Sequence, residues 1–334
     1  MILIFLSLLN LIIFFKISKL SKFFNIYDKP DNKLKLHKKK IPIIGGIILA
    51  LNFSVLFFYQ IFFLNEFLSI DLNKLNFLEI ITGLLFILSY FILGLYDDKI
   101  NLSPNKKIFF SILIIFLAIS FNENLVVKKM SISFIENKIF LDNYAYFFTI
   151  FCILILVNAL NFYDGINGQS CLIFLISFSY LFIKSDMHYF YIISIILILF
   201  ILFLNISNKI FLGDSGIYLL GIILSSSLIY EHNIQKNIIF ADEIFFLLLL
   251  PGLDLLRLTL KRLLSFKNPF FGDRDHIHHL LINRYSLKVT NLILFLTSII
   301  PIILFSVFTI NFFLVFFIFL VIYVFLIKIL KSND

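Results

Sequence analysis

The sequence predicts an all-α integral membrane protein with about eleven transmembrane helices and one small β-hairpin outside the membrane. Of the 334 residues, 61% are hydrophobic and 14% are charged, and the mean hydropathy is +1.03. A soluble domain is about 45–50% apolar, so a soluble cytosolic enzyme is excluded. The apolar residues fall into separated runs, each close to the roughly 20 residues with which one helix crosses the hydrocarbon core.

Eleven apolar runs are interpreted as membrane spans. They lie near 1–18, 41–64, 78–96, 107–121, 145–163, 169–184, 188–204, 216–230, 239–256, 289–308 and 311–330. The ninth run carries Asp242 and Glu243 near its start, so we expect ten or eleven spans. No linker or internal repeat divides the chain, which predicts one polytopic domain over 1–334.

Residues 125–141 (LVVKKMSISFIENKIFL) lie between the fourth and fifth runs and alternate apolar with polar side chains. Alternation around Glu136-Asn137 predicts a β-hairpin rather than a helix. If the loops are assigned to two sides by the eleven spans, 22 of the 28 basic residues fall on one side. Basic loops stay in the cytoplasm, which predicts an outside N-terminus, a cytoplasmic C-terminus and an outside hairpin.

Five polar stretches interrupt the apolar pattern, and the span count places all of them on the cytoplasmic side. They are DKPDNKLKLHKKKIPIIGG (28–46), GLYDDKINLSP (94–104), NALNFYDGINGQS (158–170), FLGDSG (211–216) and NPFFGDRDHIHHLL (268–281). Charged groups close to lipid are costly and are functional candidates by default. The pattern predicts one cytoplasmic active site that several loops build.

Asp97 and Asp98 follow the third run directly, where the partial negative charge of a helix C-terminus disfavours carboxylates. A compensating cation is therefore expected. The alternative is a solvated loop in which Lys99 is the counter-ion. Ser103 and Pro104 predict the N-cap and first position of the next helix.

Asn158, Asn161 and Asp164 recur every three residues and would share one face at the end of the fifth helix. The alternative is an ordinary helix exit with Asn and Gly as cap residues. Asp214 lies between two glycines just before the eighth run, and in isolation an acidic N-cap is the favoured interpretation.

The last stretch places His276, His278 and His279 beside Arg274 and Asp275. Histidine clusters often bind transition metals, but no cysteine is nearby. The surrounding basic residues favour an anionic ligand, for which phosphate or diphosphate fits best. A solvated basic loop that only sets topology is the alternative.

Carboxylate and amide oxygens suit a hard cation such as Mg²⁺, which usually binds one or two protein carboxylates together with substrate phosphates. Together with the basic loops, they predict metal-assisted phosphoryl-type transfer. Because the loops meet the membrane, the acceptor could be a lipid.

Taken in order, the five motifs resemble those of the polyprenyl-phosphate N-acetylhexosamine-1-phosphate transferases, or glycosyltransferase family 4. The resemblance runs from Asp28 to Leu281. The HIHH form after DRD resembles the branch that transfers GlcNAc 1-phosphate, whereas the muramoyl-pentapeptide branch typically carries three consecutive histidines.

The resemblance implies transfer of an N-acetylhexosamine 1-phosphate from a UDP-sugar to undecaprenyl phosphate, with release of UMP. It implies a bacterial inner-membrane enzyme that uses Mg²⁺, or Mn²⁺, and initiates an envelope polysaccharide such as O-antigen. The implied partners are the UDP-activated amino sugar, the polyprenyl phosphate lipid and the bilayer. No nucleic acid is implied, and a homodimer is compatible with the family.

The resemblance also implies roles for individual residues. Asp97 and Asp98 would be the catalytic acidic pair, one of them as base, and Asp214 and Asn161 would bind the metal. Phe211 would stack on uracil, and Asp164 and Asn167 would contact the nucleotide sugar. The donor's diphosphate or sugar would be bound by His276, His278, His279 and Arg274, and phosphate by His37 and Lys40.

Two positions depart from the family pattern: Asn167 stands where many bacterial members have Asp, and Ile217 where Ser is common. Direct attack by the lipid phosphate and an aspartyl-phosphate intermediate both remain open. So does the muramoyl-pentapeptide substrate. An anion transporter belongs to a different class, but its polar residues would lie near the bilayer midplane within repeats.

Overall fold

The structure is a computed structural model that describes residues 2–30, 39–62, 77–233, 239–266 and 275–332. Helices dominate these residues. They are α1 (Ile2–Phe24), α2 (Gly45–Phe62), α3 (Phe77–Ile100), α4 (Pro104–Phe121), α5 (Ala145–Tyr163), α6 (Gln169–Lys184), α7 (His188–Ile206), α8 (Gly213–Asn233), α9 (Ala241–Leu247), α10 (Leu249–Leu264), α11 (Ile277–Ile282), α12 (Leu287–Ser306) and α13 (Phe312–Lys331).

The described helices confirm an all-α membrane protein. Nine of them are long and apolar enough to cross a membrane, and α6 is a shorter apolar helix. The predicted ninth span is instead divided into α9 and α10 at Leu248. Pro251 explains the division, because it has no N–H group to continue the helical hydrogen bonds of α9.

Helix α8 is the centre of the bundle and packs against α2, α3 and α5. Two glycines allow this close packing. A Cβ atom at Gly46 would be 2.4 Å from the backbone of Gly216, and one at Gly94 would be 2.6 Å from the backbone of Ser215. Small residues let helix backbones approach closely, so the first turn of α8 is held between α2 and α3.

The predicted hairpin is confirmed. Strand β3 (Lys129–Met130) pairs antiparallel with β4 (Ile139–Phe140). The hairpin region is attached to the C-terminal end of α8, where the Asn233 side chain donates to the carbonyl of Val126 at 2.9 Å. The hairpin and the first turn of α8 therefore lie at opposite ends of the bundle.

A second small sheet was not predicted. It pairs β1 (Tyr27–Asp28) with β2 (Ile41–Pro42) in antiparallel register. The chain continues from β2 alongside FLGDSG, where the Gly45 N–H donates to the carbonyl of Phe211 at 3.0 Å. The first and fourth polar stretches are thus joined through their backbones.

Candidate active site

The acidic pair of α3 meets the first turn of α8. One oxygen of Asp98 accepts the N–H of Asp214 at 2.8 Å, and the other accepts the N–H of Ser215 at 3.0 Å. The helix begins at Gly213, so Asp214 lies in its first turn and is not the N-cap that its position alone favours. The carboxylate of Asp98 satisfies these two N–H groups instead, an arrangement that a sequence pattern within one helix cannot reveal.

Gly213 is required at this junction. Its φ is +74°, and a Cβ atom there would be 2.7 Å from an oxygen of Asp98. A side chain would therefore be strained by the backbone and would displace the carboxylate.

Asp97 is buried in the last turn of α3, which runs past the acidic pair to Ile100. Its Oδ1 accepts the N–H of Leu102 at 2.8 Å, and its carboxylate also contacts the ammonium group of Lys107. The cation expected near the pair is therefore Lys107, and the alternative of a solvated pair with Lys99 as counter-ion is wrong for Asp97.

Lys107 connects the two helices that carry carboxylates. Its Nζ lies 3.7 Å from Oδ2 of Asp214 in addition to its contact with Asp97. Sequence reasoning missed this role, although the available signal was its place in the first turn of α4. The cap of that helix is confirmed by position: Ser103 is the N-cap residue and is followed by Pro104.

A cavity of about 420 Å³ opens beside these carboxylates. The predicted site residues that line it are Asp98, Asp164, Asn167, Phe211 and Asp214. Sites for small ligands usually measure about 300–1,000 Å³. Asp28 and Ile43 of the first stretch line it as well, so four of the five polar stretches share one cavity large enough for a substrate group.

Helix α5 ends at Tyr163, and Asp164 occupies its C-cap position at the cavity wall. The Ser170 hydroxyl donates to Asp164 at 2.5 Å. Burial raises the pKa of the Asp164 carboxyl to about 6, with the charge of Asp98 adding to the rise and the Ser170 hydrogen bond opposing it. The influence of Asp98 reflects the convergence of α3 and α5 on one site.

The side chain of Asn167 joins its loop to the end of α7. Its amide donates to Asn208 at 2.7 Å and to the carbonyl of Asn205 at 3.1 Å. The following residue, Gly168, has φ +89° and is the N-cap residue of α6. Asn167 thus fixes the loop, and its predicted contact with the nucleotide sugar stays a prediction.

The histidine loop, residues 275–282, reaches the same wall of the cavity. His278 is buried, and its Nδ1 lies 3.2 Å from the Gln169 amide nitrogen. Burial, with smaller effects of the neighbouring histidines, holds the pKa of His278 well below its usual value. A neutral imidazole can accept the Gln169 hydrogen bond.

Most of the histidine loop faces protein groups. His276 is buried, and its Nδ1 lies 2.8 Å from the carboxylate of Asp254 in α10. His279 is partly exposed. Asp254 was missed from the sequence, where its only signal is a carboxylate inside the apolar segment LLPGLDLL.

Several basic residues that were expected to face an anionic ligand instead bind the protein. Arg257 donates to Asp254 at 2.7 Å, Lys261 pairs with Asp275, and Arg284 donates to the carbonyl of Leu330 at 2.9 Å. Fewer positive charges are therefore available to a substrate than the sequence predicted.

Of the two residues of the first loop that were predicted to bind phosphate, the structure describes Lys40. Lys40 is exposed, and its ammonium group lies 5.0 Å from the ring centre of Tyr27. His37 and Arg274 lie outside the described residues.

The carboxylate and amide oxygens of the site fit a hard cation that has few protein ligands. Among the described residues, no three carboxylate, imidazole or thiol side chains are grouped as a metal site. However, Oδ1 of Asn161 is buried and has no hydrogen-bond partner among those residues. One turn earlier on the same face of α5, Val157 lies against Gly221 of α8. Asn161 and Asp214 therefore fit an ion that takes its other ligands from substrate and water.

Comparison with known proteins identifies the same region. The family model for glycosyl transferase family 4 matches residues 80–232, which include Asp97, Asp98, Asn161, Asp164 and Asp214. The histidine loop lies beyond this match but within the segment that the motifs cover.

Curated relatives share the name undecaprenyl-phosphate alpha-N-acetylglucosaminyl 1-phosphate transferase. The protein from Thermotoga maritima is 29% identical over 289 residues, which cover 85% of this chain and 83% of the relative. The protein from Escherichia coli O157:H7 is 26% identical over 274 residues, covering 79% and 71%, and that from Yersinia pestis is 25% identical over 290 residues, covering 84% and 75%. These comparisons confirm the relationship that the motifs predicted, and they identify the chain as a multi-pass membrane protein related to glycosyl transferase family 4.

Proposed function

We propose that this protein transfers an N-acetylhexosamine 1-phosphate from a UDP-sugar to undecaprenyl or another polyprenyl phosphate and releases UMP. The observation that carries the proposal is the junction of α3, α4 and α8. There, Lys107 contacts Asp97 and lies 3.7 Å from Asp214, and Asp98 caps the start of α8 beside a cavity of about 420 Å³. The names of the relatives support the same reaction.

The reaction exchanges one phosphoryl bond for another. An oxygen of the lipid phosphate would form a bond to the donor phosphorus that carries the sugar, and the bond from that phosphorus to the oxygen of UMP would break. Loss of a proton from the lipid phosphate makes its oxygen a better nucleophile. An aspartyl-phosphate route would reach the same products in two steps.

The two members of the acidic pair differ in what they face. Asp98 lines the cavity, whereas Asp97 is 1% exposed and is closed off by Lys107 and the backbone of Leu102. We therefore assign the substrate-facing role, including receipt of the proton, to Asp98. Asp97 would hold Lys107, whose positive charge can attract phosphate next to Asp214.

We propose Mg²⁺ as the cofactor, with Asp214 and Asn161 as its protein ligands. When bound, the ion would polarise the donor diphosphate and offset the charge on the leaving UMP. The Asn161 oxygen, which has no hydrogen-bond partner among the described residues, and the position of Asp214 at the cavity support this assignment.

We place the cavity on the cytoplasmic face of a bacterial inner membrane, where UDP-sugars are available. The basic loops on this side and the hairpin at the other end of α8 support that orientation. The likeness to the GlcNAc-1-phosphate transferases favours a role at the start of an envelope polysaccharide such as O-antigen.

The proposal is tested with purified protein in detergent, polyprenyl phosphate and a panel of UDP-amino sugars. We expect Mg²⁺-dependent exchange of labelled UMP into one UDP-N-acetylhexosamine and formation of the lipid-linked sugar. Asp214→Asn should abolish both reactions, whereas Asp242→Asn, at the far end of the bundle, should retain them. Absence of exchange with every donor, UDP-muramoyl-pentapeptide included, would refute the transferase function.

A further inference from the structure

The Asp254 carboxylate connects the histidine loop to two helices. Asp254 is 2% exposed. Its Oδ1 accepts hydrogen bonds from Arg257 at 2.7 Å and from the Tyr323 hydroxyl of α13 at 2.8 Å, and its Oδ2 accepts one from Nδ1 of His276 at 2.8 Å. Both oxygens of this buried group are therefore engaged.

This network fixes the orientation of the His276 ring. Burial raises the pKa of the Asp254 carboxyl, but the His276 hydrogen bond and the charge of Arg257 outweigh it and hold that pKa below its usual range. An ionised carboxylate can only accept hydrogen bonds, so Nδ1 of His276 must be the donor. A carboxylate partner of this kind sets both the tautomer and the angle of an imidazole.

The orientation of His276 is passed on by ring contacts. Its ring stacks on Phe162, with ring centres 6.0 Å apart, and on His278, with ring centres 5.4 Å apart. His278 in turn lies against Gly165, which lines the cavity beside Asp164. A continuous series of packed groups thus runs from α10 to the cavity wall.

A second tie reinforces the first. The Arg257 guanidinium that binds Asp254 also donates to the backbone carbonyl of Asp275 at 2.6 Å. Oδ1 and Oδ2 of Asp254 lie 3.3 and 3.4 Å from the backbone N–H of Ile277, which donates toward them. The start of the histidine loop is therefore held through its backbone as well as through His276.

We propose that Asp254 is a positioning residue, which holds the histidine loop through His276 against the Asp164–Gly165 wall of the cavity. In this arrangement, Asp254 acts on donor binding without touching the donor. The hydrogen bond from Tyr323 to Asp254 also connects the last helix, α13, to this support. The kinetic measurements below rest on the proposed transferase function, whereas the measurement of amide hydrogen exchange does not.

The first measurement compares steady-state kinetics of Asp254→Asn with wild type. The amide keeps the size of the side chain but replaces an acceptor oxygen with a donor nitrogen. We expect kcat/KM for the UDP-sugar to fall about 10- to 100-fold, mainly through KM. Tyr323→Phe removes one uncharged donor and should cost about 2- to 10-fold.

The second measurement asks whether Asp254 acts through His276. In a background of His276→Ala, Asp254→Asn should cost less than about 3-fold, because the two substitutions interrupt one series of contacts. A carboxylate that only supports the fold would cost as much in this background as in wild type.

The third measurement is amide hydrogen exchange of residues 275–282 in the purified full chain. We expect faster exchange in Asp254→Asn and in His276→Ala, with only a small further increase in the double variant, because His276→Ala leaves the contact of Asp254 with the Ile277 N–H in place. The matched control is Asp242→Asn, which changes another buried carboxylate that accepts a hydrogen bond from Ser133 at the far end of the bundle. It should leave both KM and exchange of the histidine loop unchanged.

Wild-type KM and wild-type loop exchange in Asp254→Asn would overturn the positioning role. So would a loss of kcat/KM that is undiminished in the His276→Ala background. If wild type turns over no donor, the proposed function fails, and the hydrogen-exchange result still decides whether Asp254 holds the loop.

Discussion

Nε2 of His278 lies so close to Gly165 that a Cβ atom at position 165 would be 1.8 Å from it. The contact joins the histidine loop to the turn that follows α5, although the two segments are far apart in sequence. Gly165 thereby allows an imidazole to form part of the support of the cavity wall. The contact places the exit of α5 and the histidine cluster side by side at the cavity.

Gly165→Ala should displace His278 and lower the rate of UMP exchange at least about 10-fold. Its backbone is outside the left-handed region, so the clash is the source of the effect, and overpacking of this kind costs about 1–3 kcal/mol. Exchange activity and thermal unfolding of the purified variant measure the two consequences.

Gly252→Ala is the control, because apart from its chain neighbours and the backbone of its own helix, no heavy atom of the described residues lies within 4 Å of a Cβ atom built there. It should retain full exchange activity and unfold at the wild-type temperature or slightly above. Equal behaviour of the two variants would contradict a tight contact between Gly165 and His278.

Lys107→Met should reduce exchange activity by more than about 100-fold. The substitution keeps an unbranched side chain but removes the cation that contacts Asp97 and lies 3.7 Å from Asp214. Because the Lys107 side chain is 25% exposed, solvent reduces the loss of stability to about 1–2 kcal/mol. Lys106→Met, one position earlier, is the matched control for removal of a positive charge.

The kinetics distinguish two roles of Lys107. If the ammonium group attracts substrate phosphate, Lys107→Met should raise KM for the lipid phosphate and also lower kcat. Lys107→Arg, which keeps the positive charge, should retain part of the activity. Wild-type kinetics in Lys107→Met would show that the carboxylates need no cation at this position.

The pKa of Asp164 predicts how pH affects stability and activity. Its folded-state value of about 6 lies above the ordinary value of 3.8, so the folded protein binds the proton more tightly than the unfolded chain. Ionised Asp164 therefore costs stability at pH 8, and that cost shrinks as pH falls through 6. Asp164→Asn should raise the melting temperature at pH 8 more than at pH 5.

Activity should follow the opposite course if the Asp164 carboxylate contacts the donor. Wild-type kcat/KM for the UDP-sugar should fall as pH drops below about 6. The kcat/KM of Asp164→Asn should be low both above and below this pH. The control is Ser170→Ala, which removes the hydrogen bond that lowers the Asp164 pKa and should move the acidic limb to higher pH. If the acidic limb of the kcat/KM profile stays at the same pH in Ser170→Ala, the limb does not report the ionisation of Asp164.

Sequence periodicity predicted most of the membrane fold because each span carries its own apolar signal. The division between α9 and α10 was missed, since Leu248 and Pro251 lie within an uninterrupted apolar run. The short β1–β2 pair was missed because two-residue strands have no periodicity to detect. These are differences in local backbone geometry, to which hydropathy is insensitive.

The site residues divide in a similar way. Asp98, Asp164 and Asp214 could be selected because a carboxylate at the end of an apolar run is conspicuous. Lys107 and Asp254 could not, because what distinguishes them is a partner on another helix. The cap of α8 likewise comes from α3, so only tertiary structure shows that Asp98 supplies it.

Asn161 provides the sharpest test of the proposed metal site. Its buried Oδ1 lacks a hydrogen-bond partner among the described residues, so a bound cation would supply what the protein does not. Asn161→Leu should raise the Mg²⁺ concentration for half-maximal exchange about 10-fold or more. Asn161→Asp restores an oxygen ligand and should recover much of the affinity.

Asn158→Leu is the matched control, because its amide donates to the Leu154 carbonyl within α5 at 2.7 Å and already has a partner. It should leave the Mg²⁺ dependence unchanged. Binding of Mn²⁺, followed by its paramagnetic resonance spectrum, gives a readout that does not require turnover. If Asn161→Leu binds Mn²⁺ as tightly as wild type and keeps the same Mg²⁺ dependence, the buried amide oxygen is not a ligand, and Asp214 must bind the ion with other groups.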